Sequence, residues 1–258
     1  MLGGYNRHFV GPQLWQIMKM TPQPMRRMIA GAIGGISIEK WNALVPSKPS
    51  FGERIHKVAS ILGMHSQEEI YQKLIGQWDA PEDLIIGGSE ALTPLTDPEW
   101  QPEDLSFAAR MMYWDALSYL SNDILVKVDR ASMAVSLETR APLLDRRIYD
   151  YVWTLPEHMK IRNGQGKWLL RQVLSRHVPK ELFERPKQGF SVPIGEWLRT
   201  DLRGWAEDLL DEKQMREDGY LNADIVRSIW SEYLGGRTGH ATKIWTVLMF
   251  QAWKDRWL

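Results

Sequence analysis

Apolar residues recur at helical spacing along most of this chain, and nowhere do strands and helices alternate. The sequence can therefore build a helical body but does not encode a parallel sheet of its own. Ser66-Gln67-Glu68-Glu69 is a capping-box pattern, with Ile70, Tyr71, Leu74 and Ile75 as an apolar stripe behind it. The stretch from Glu103 to Leu120 repeats the period through Leu105, Ala108, Ala109, Met112 and Leu120. Asp145 is placed to cap a helix carrying Ile148, Tyr151, Val152 and Leu155, which Pro156 stops. Helices are also expected over 167–177, 194–210, 224–234 and 241–258. Leu84-Ile85-Ile86, before Gly87-Gly88, fits either state. Thr93 to Pro102 holds three prolines and reads as a loop at a sub-lobe break; Gly34 to Phe51, with Pro46 and Pro49, reads as a second irregular connection.

Composition narrows the function classes. At 258 residues the chain can form one large or two modest domains. Its 32 basic and 32 acidic side chains cancel, which argues against general binding to nucleic acid or to a membrane surface. The absence of cysteine excludes disulfides, thiolate metal sites and a cysteine nucleophile. Six histidines without ligand spacing give no expectation of a metal site. Of the 13 tryptophans, Trp197, Trp205, Trp230, Trp245 and Trp253 fall in helical phase with aliphatic residues and are expected in the core. The apolar run from Met28 to Ile38 is too short and too glycine-rich for a membrane span. A soluble cytoplasmic protein is expected.

The segment Leu125–Asp145, LVKVDRASMAVSLETRAPLLD, concentrates charge within what reads as core. Lys127 and Arg130 share a face near the end of a helix expected to begin near Ser121, with Asp129 displaced from that face. Glu138 and Arg140 lie on an extended segment, because Pro142 disfavours helix before it, and so point to the same side. Charges among Leu125, Val126, Val128, Met133, Val135 and Leu137 are costly to bury unless paired. Either Asp129 or Glu138 pairs with Arg130 or Arg140 to lock the helix to the segment, or the cations hold a carboxylate or phosphate. In Arg185-Pro186-Lys187-Gln188-Gly189, Lys187 sits on a stiffened loop and matches no apolar stripe. Such a lysine suits charge stabilisation in phosphoryl or nucleotidyl transfer, or is simply solvated. Asn163-Gly164-Gln165-Gly166-Lys167 is a glycine-rich turn feeding a helix; it lacks the full spacing of a phosphate loop.

Four segments together resemble the C-terminal part of class B glutamine-dependent asparagine synthetases. They are Gly3-Gly4-Tyr5-Asn6-Arg7, Asp129-Arg130 through Glu138-x-Arg140-x-Pro142-Leu143-Leu144-Asp145, Gly166-Lys167 with Leu169-Leu170-Arg171, and Arg185 through Phe190. The resemblance spans essentially the whole chain, although the region from Gly11 to Pro102 carries no sharp motif. It implies that residues 1–258 form the mainly α, helical C-terminal portion of an adenine-nucleotide-α-hydrolase-like (PP-loop) synthetase domain, with the parallel sheet largely missing. The implied reaction activates the aspartate side-chain carboxylate with ATP as an acyl-adenylate, which glutamine-derived ammonia converts to asparagine. Lys187 would stabilise the charge built up during adenylation. Lys127, Asp129, Arg130, Glu138 and Arg140 would face or brace the acceptor, and Gly3, Gly4 and Lys167 would lie near the nucleotide or pyrophosphate. ATP and Mg2+ would serve the full-length enzyme, with neither expected on this part alone. The implied partners are the N-terminal glutaminase and PP-loop portions and small-molecule substrates, with a homodimer allowed and no nucleic acid or membrane.

The departures from the family pattern are equally specific. The Ser-Gly-Gly-x-Asp-Ser loop that grips ATP phosphates is not in this chain, nor are the Ser-Gly-acid-Gly and Asp-Glu residues that precede Gly-Gly-Tyr in the family. The isolated chain is therefore expected to be inactive and to bind ATP poorly. Ile124 and Lys127 stand where some members carry an Asp-x-x-Arg pair that helps hold aspartate. That leaves room for another carboxylate acceptor, such as a sugar acid or a peptide-like precursor. A helical scaffold or interaction module without chemistry is the reading from a different class.

Overall fold

The computed structural model describes residues 1–47, 51–78, 80–184 and 192–258. The helices run in chain order as α1 (Arg7–Lys19), α2 (Gln23–Gly34), α3 (Ile38–Leu44), α4 (Phe51–Leu62), α5 (Gln67–Ile75), α6 (Pro81–Leu84) and α7 (Phe107–Asp115). A π-helical segment, Ala116–Leu125, joins α7 directly to α8 (Val126–Met133). Then come α9 (Arg146–Thr154), α10 (Glu157–Lys160), strands β1 (Ile161–Arg162) and β2 (Gln165–Gly166), and α11 (Trp168–Leu174). The last helices are α12 (Ile194–Trp197), α13 (Arg203–Leu209), α14 (Glu212–Asp218), α15 (Ala223–Leu234) and α16 (Ala241–Trp257). Among the described residues the only sheet is the antiparallel β1–β2 pair, so the fold is mainly α as expected. No helix of the described residues is long and apolar enough to cross a membrane.

The chain divides into two compact units, one of residues 1–75 and 92–184, the other of 76–91 and 192–258. In the first, Met18, Ile61, Ile70, Tyr71, Phe107, Met111 and Trp114 form the core. Ser66 caps α5, with the return bond displaced to the residue before the cap. Ser66 Oγ accepts the Glu69 N–H at 3.1 Å, and the Glu69 carboxylate reaches back to the N–H of His65 at 2.8 Å. Arg26 of α2 is buried and donates to the carbonyls of Leu62 and Met64, both at 2.9 Å, where α4 runs out of internal donors. In the second unit the core gathers around Leu198, Leu210, Met215, Trp230, Tyr233 and Leu248. There Trp230 stacks on Tyr233 and donates its indole N–H to Glu207 at 2.7 Å.

Several expectations need correction. The helix expected from Glu103 starts at Phe107, because Ser106 caps it by accepting the N–H of Ala109 at 3.2 Å. It does not stop at Leu120 and restart near Ser121 but runs on through the π segment. The helix expected over 194–210 is two short ones, broken where Leu202 N–H turns back to the carbonyl of Trp197 at 2.8 Å. The irregular connection expected at 34–51 contains α3, capped by Ser37. Tryptophan is not uniformly core: Trp230 is buried, whereas Trp197, Trp205 and Trp253 are exposed rims of the second unit. The largest correction concerns residues 125–137. Leu125, Val128, Met133, Val135 and Leu137 are all exposed, so this segment is surface rather than core.

Candidate functional site

A change of helical pitch shapes the site. Within the π segment, Ser118 Oγ donates to the Trp114 carbonyl and Ser121 Oγ to the Leu117 carbonyl, each at 2.6 Å. Each hydroxyl takes the carbonyl four residues back, the acceptor an α-helical amide would use, which favours amides that reach one residue further. α8 then ends in a Schellman turn. The Leu137 N–H donates to the Ser132 carbonyl at 3.0 Å and the Ser136 N–H to the Met133 carbonyl at 2.9 Å, with Ser136 at φ 59°. The chain returns along the helix to a 3-10 turn at Pro142–Leu144 and to Asp145, which caps α9 by accepting the Arg147 N–H at 2.9 Å. Hydrogen bonds from Arg147 hold the Asp145 carboxyl below its usual range.

An open groove of about 940 Å³ lies between these two walls. Leu120, Ser121, Ile124, Leu125, Val128 and Asp129 line one side; Thr139, Arg140, Ala141, Pro142 and Leu144 line the other. The lining is largely aliphatic with a few polar groups, the usual make-up of a small-molecule pocket. The groove brings together two of the residues singled out by sequence, Asp129 and Arg140. Lys127, Arg130 and Glu138 are not on its lining. Lys127 pairs with Asp123 one turn earlier at 3.1 Å, and Glu138 pairs with Arg140. Both pairs are exposed, so neither is a buried lock. Asp129 has no hydrogen-bond or ion-pair partner for its carboxylate among the described residues. Lys187 and the rest of Arg185–Phe190 lie outside the described residues.

Gly3, Gly4 and Lys167 do come together. Gly3 adopts φ 65°, and a side chain there would strike Ile161. A Cβ on Gly4 would stand 2.6 Å from Lys167 Cε. The Lys167 N–H donates to the Leu2 carbonyl at 2.8 Å, and Lys167 itself is left-handed at φ 57°. The space these glycines leave is thus filled by side chains of the chain itself. Close by in sequence, Lys160 is buried with its ammonium 4.9 Å from the Trp153 ring centroid, and burial drives its pKa down.

Sequence reading missed a buried cluster around Asp115. Its carboxylate accepts from Arg7 at 2.6 Å, from His8 Nε2 at 2.7 Å and from the Tyr71 hydroxyl. Burial pushes the Asp115 carboxyl up, but the hydrogen bonds from His8 and Tyr71 and the charge of Arg7 outweigh it, so the net shift is downward. Burial, opposed only in part by Asp115, lowers the pKa of His8, and burial beside Asp115 raises that of Tyr71. An acid within the apolar α7 pattern was the one sequence signal for this cluster. Among the described residues no group of three His, Asp or Glu side chains could hold a metal ion.

The family model described as asparagine synthase matches residues 1–255. The chain belongs to the asparagine synthase family. Within this family it is 36% identical over 144 residues to asparagine synthetase [glutamine-hydrolyzing] 1 of Bacillus subtilis, covering 56% of this chain and 22% of that protein. Synthetase 3 of the same organism is 31% identical over 170 residues, covering 59% and 27%. The asparagine synthetase of Cricetulus griseus is 31% identical over 141 residues, covering 47% and 24%. The matches thus span about a quarter of the length of these relatives. No solved structure matches the chain. The Gly3-Gly4-Tyr5 segment, the groove-forming stretch and the Gly166-Lys167 turn all lie inside the region matched to asparagine synthase.

Proposed function

We propose that this chain supplies the acceptor-side portion of an ATP-dependent amidotransferase, in which an adenylated carboxylate reacts with glutamine-derived ammonia, and that aspartate is the acceptor and asparagine the product. The observation that carries this reading is a coincidence of place. The groove is lined mostly by the Leu125–Asp145 segment, within which Asp129-Arg130 through Asp145 resemble the family, and Leu120, Ser121 and Ile124 complete one wall. Asp129 on one wall and Arg140 on the other suit the two charges of an amino acid, the guanidinium taking a carboxylate and the acid an ammonium. In this proposal Lys127, Arg130 and Glu138 brace the groove rather than touch the acceptor. Lys187 stabilises charge that develops on the phosphates. Gly3, Gly4 and Lys167 form the edge nearest the nucleotide. The described residues offer no metal ligand set, and the glycine spaces are already filled, so no step of the reaction is assigned to a magnesium ion or a nucleotide held by them.

The test is pyrophosphate release from ATP with magnesium, glutamine and aspartate, measured on the chain joined to glutaminase and ATP-loop portions. Arg140→Ala is expected to raise the aspartate KM by about tenfold or more, the loss of one charge-assisted contact. Lys187→Ala is expected to reduce pyrophosphate release by about a hundredfold or more while glutamine hydrolysis continues. Unchanged kinetics in Arg140→Ala would remove the groove from the acceptor site. The chain alone is expected to release no pyrophosphate and to bind ATP-magnesium more weakly than micromolar by calorimetry.

One observation favours a second acceptor. Ile124 lies on the groove lining, which is mostly aliphatic. A peptide-like carboxylate with an apolar body fits that lining better than a sugar acid does. Replacing aspartate with such a compound in the same assay separates the two readings.

A further inference from the structure

Among the described residues three lysine or arginine side chains are buried: Arg26, Lys160 and Lys254. Two of them are answered. Arg26 donates to the Leu62 and Met64 carbonyls, and Lys254 pairs with Asp218 and Asp255. Lys160, 4% exposed, has neither a hydrogen-bond acceptor nor an ion-pair partner among the described residues. A buried cation without such a partner is costly. The difference shows in the pKa values. Burial lowers that of Lys254, but hydrogen bonds to Asp218 and Asp255 raise it overall. For Lys160 burial prevails over the charge of Glu157, an exposed acid that accepts from Ser106. Lys160 closes α10 where the chain enters β1, and its ammonium lies 4.9 Å from the ring centroid of Trp153 on α9. The ring face attracts the charge but leaves the ammonium N–H groups without an oxygen. The Trp153 indole N–H is buried and also lacks an acceptor. Tyr113 and Tyr149 stand against the same ring.

We propose that Lys160 and Trp153 form a binding site for one carboxylate, with one oxygen on the ammonium and the other on the indole N–H. The reach is right. An indole nitrogen lies within about 2.5 Å of its ring centroid, so the two donors are no more than about 7 Å apart, which two carboxylate oxygens span with hydrogen bonds of about 2.9 Å. Charge selects the class. One carboxylate neutralises one buried ammonium, whereas a phosphate dianion would bury an excess negative charge. Place bears on the source. A side chain on Gly3 would strike Ile161, the residue after Lys160, so the opening segment of the chain runs past the site. The carboxylate is either a free acid or an acidic side chain of the joined ATP-loop portion, the second resting on the function proposed above.

Nuclear magnetic resonance on the full 258-residue chain reads both donors. The indole proton–nitrogen signal of Trp153 is assigned by Trp153→Phe, and the ε-carbon signal of Lys160 by Lys160→Met. Added acetate is expected to move the two signals along one saturation curve and to raise the Lys160 pKa, while sodium chloride at the same strength moves neither. Lys160→Met should weaken the Trp153 response by about tenfold or more, and Trp153→Phe the Lys160 response by about threefold, as charged and neutral hydrogen bonds differ. Thermal unfolding of each variant checks that the fold is retained. If the joined protein shows both signals already at their shifted positions and insensitive to acetate, the carboxylate belongs to the polypeptide. Signals that neither acetate nor joining moves overturn the proposal. So does movement of one signal alone, or a Trp153 response undiminished in Lys160→Met. Pyrophosphate release by the joined protein is read separately, so failure here is distinct from failure of the proposed function.

Discussion

A side chain of any size on Gly166 would strike the carbonyl oxygen of Gly3. The opening segment of the chain therefore lies against the β1–β2 hairpin at backbone distance, tied by the hydrogen bond from Lys167 N–H to the Leu2 carbonyl at 2.8 Å. Gly166→Ala is expected to cost about 3 kcal/mol, because a backbone oxygen cannot move aside without shifting the segment. Gly4→Ala meets only the far end of the Lys167 side chain and should cost less than about 1 kcal/mol. Denaturant midpoints of the two variants compare them directly, and equal losses would contradict the backbone contact.

Ser136 closes the Schellman turn at φ 59°, a conformation that suits glycine. Ser136→Gly should stabilise the fold by up to about 1 kcal/mol by relieving that strain. Thermal unfolding reads the sign, and a destabilised variant would mean the serine side chain contributes more than its strain.

Arg26 bridges α2 to the end of α4 through two carbonyls. Arg26→Met keeps most of the aliphatic stem but leaves both acceptors without their charged donor, so a loss of about 2 kcal/mol is expected. Urea unfolding that matches the unsubstituted chain would show that solvent satisfies those carbonyls.

Asp115 collects Arg7, His8 and Tyr71 in one buried cluster. Asp115→Ala strands a cation and two polar groups and should cost about 3 to 5 kcal/mol. Arg7→Met alone should cost less, because His8 and Tyr71 still satisfy the carboxylate. A double-substitution cycle measures the coupling between the two positions.

The same cluster sets a pH dependence. The pKa of His8 is lowered from 6.5. Below that value the unfolded chain takes up a proton that the folded chain refuses, so stability falls as pH drops from 6.5 toward the folded pKa. His8 Nδ1 has no hydrogen-bond partner among the described residues, so protonation would bury an unanswered N–H. Asp115, held below 3.8, adds a second loss as pH falls through its own folded value. His8→Gln should flatten the first of these slopes and leave the second. Unfolding free energies measured from pH 7 to 3 resolve the two windows.

How much of this was legible in the sequence depends on how local the cause is. The caps at Ser66 and Asp145 were, because a cap is written within four residues. The sequence reads Asn163 to Lys167 as a glycine-rich turn feeding a helix; Asn-Gly with both residues at positive φ is also the signature of a two-residue hairpin, which is what β1 and β2 form. The π segment was not legible, since its apolar period is close to that of an α-helix and the difference lies in which carbonyl each amide chooses. Nor was the Asp115 cluster, whose members His8 and Asp115 stand 107 residues apart. The exposure of Leu125 through Leu137 was misread for another reason: hydropathy records what a residue prefers to touch, not whether this chain provides it.

The π segment turns the long helix from Phe107 to Met133 into two rods coupled by a phase slip. Each of its residues advances less far around the axis than an α-helical residue, so the lag accumulates along the segment. Met111 and Trp114 fix one rod in the core, while Val128 and Asp129 on the other form a wall of the groove. A substitution at Ser118, which is not among the groove-lining residues, that returned part of the segment to α pitch would swing Val128 and Asp129 as one piece without altering either.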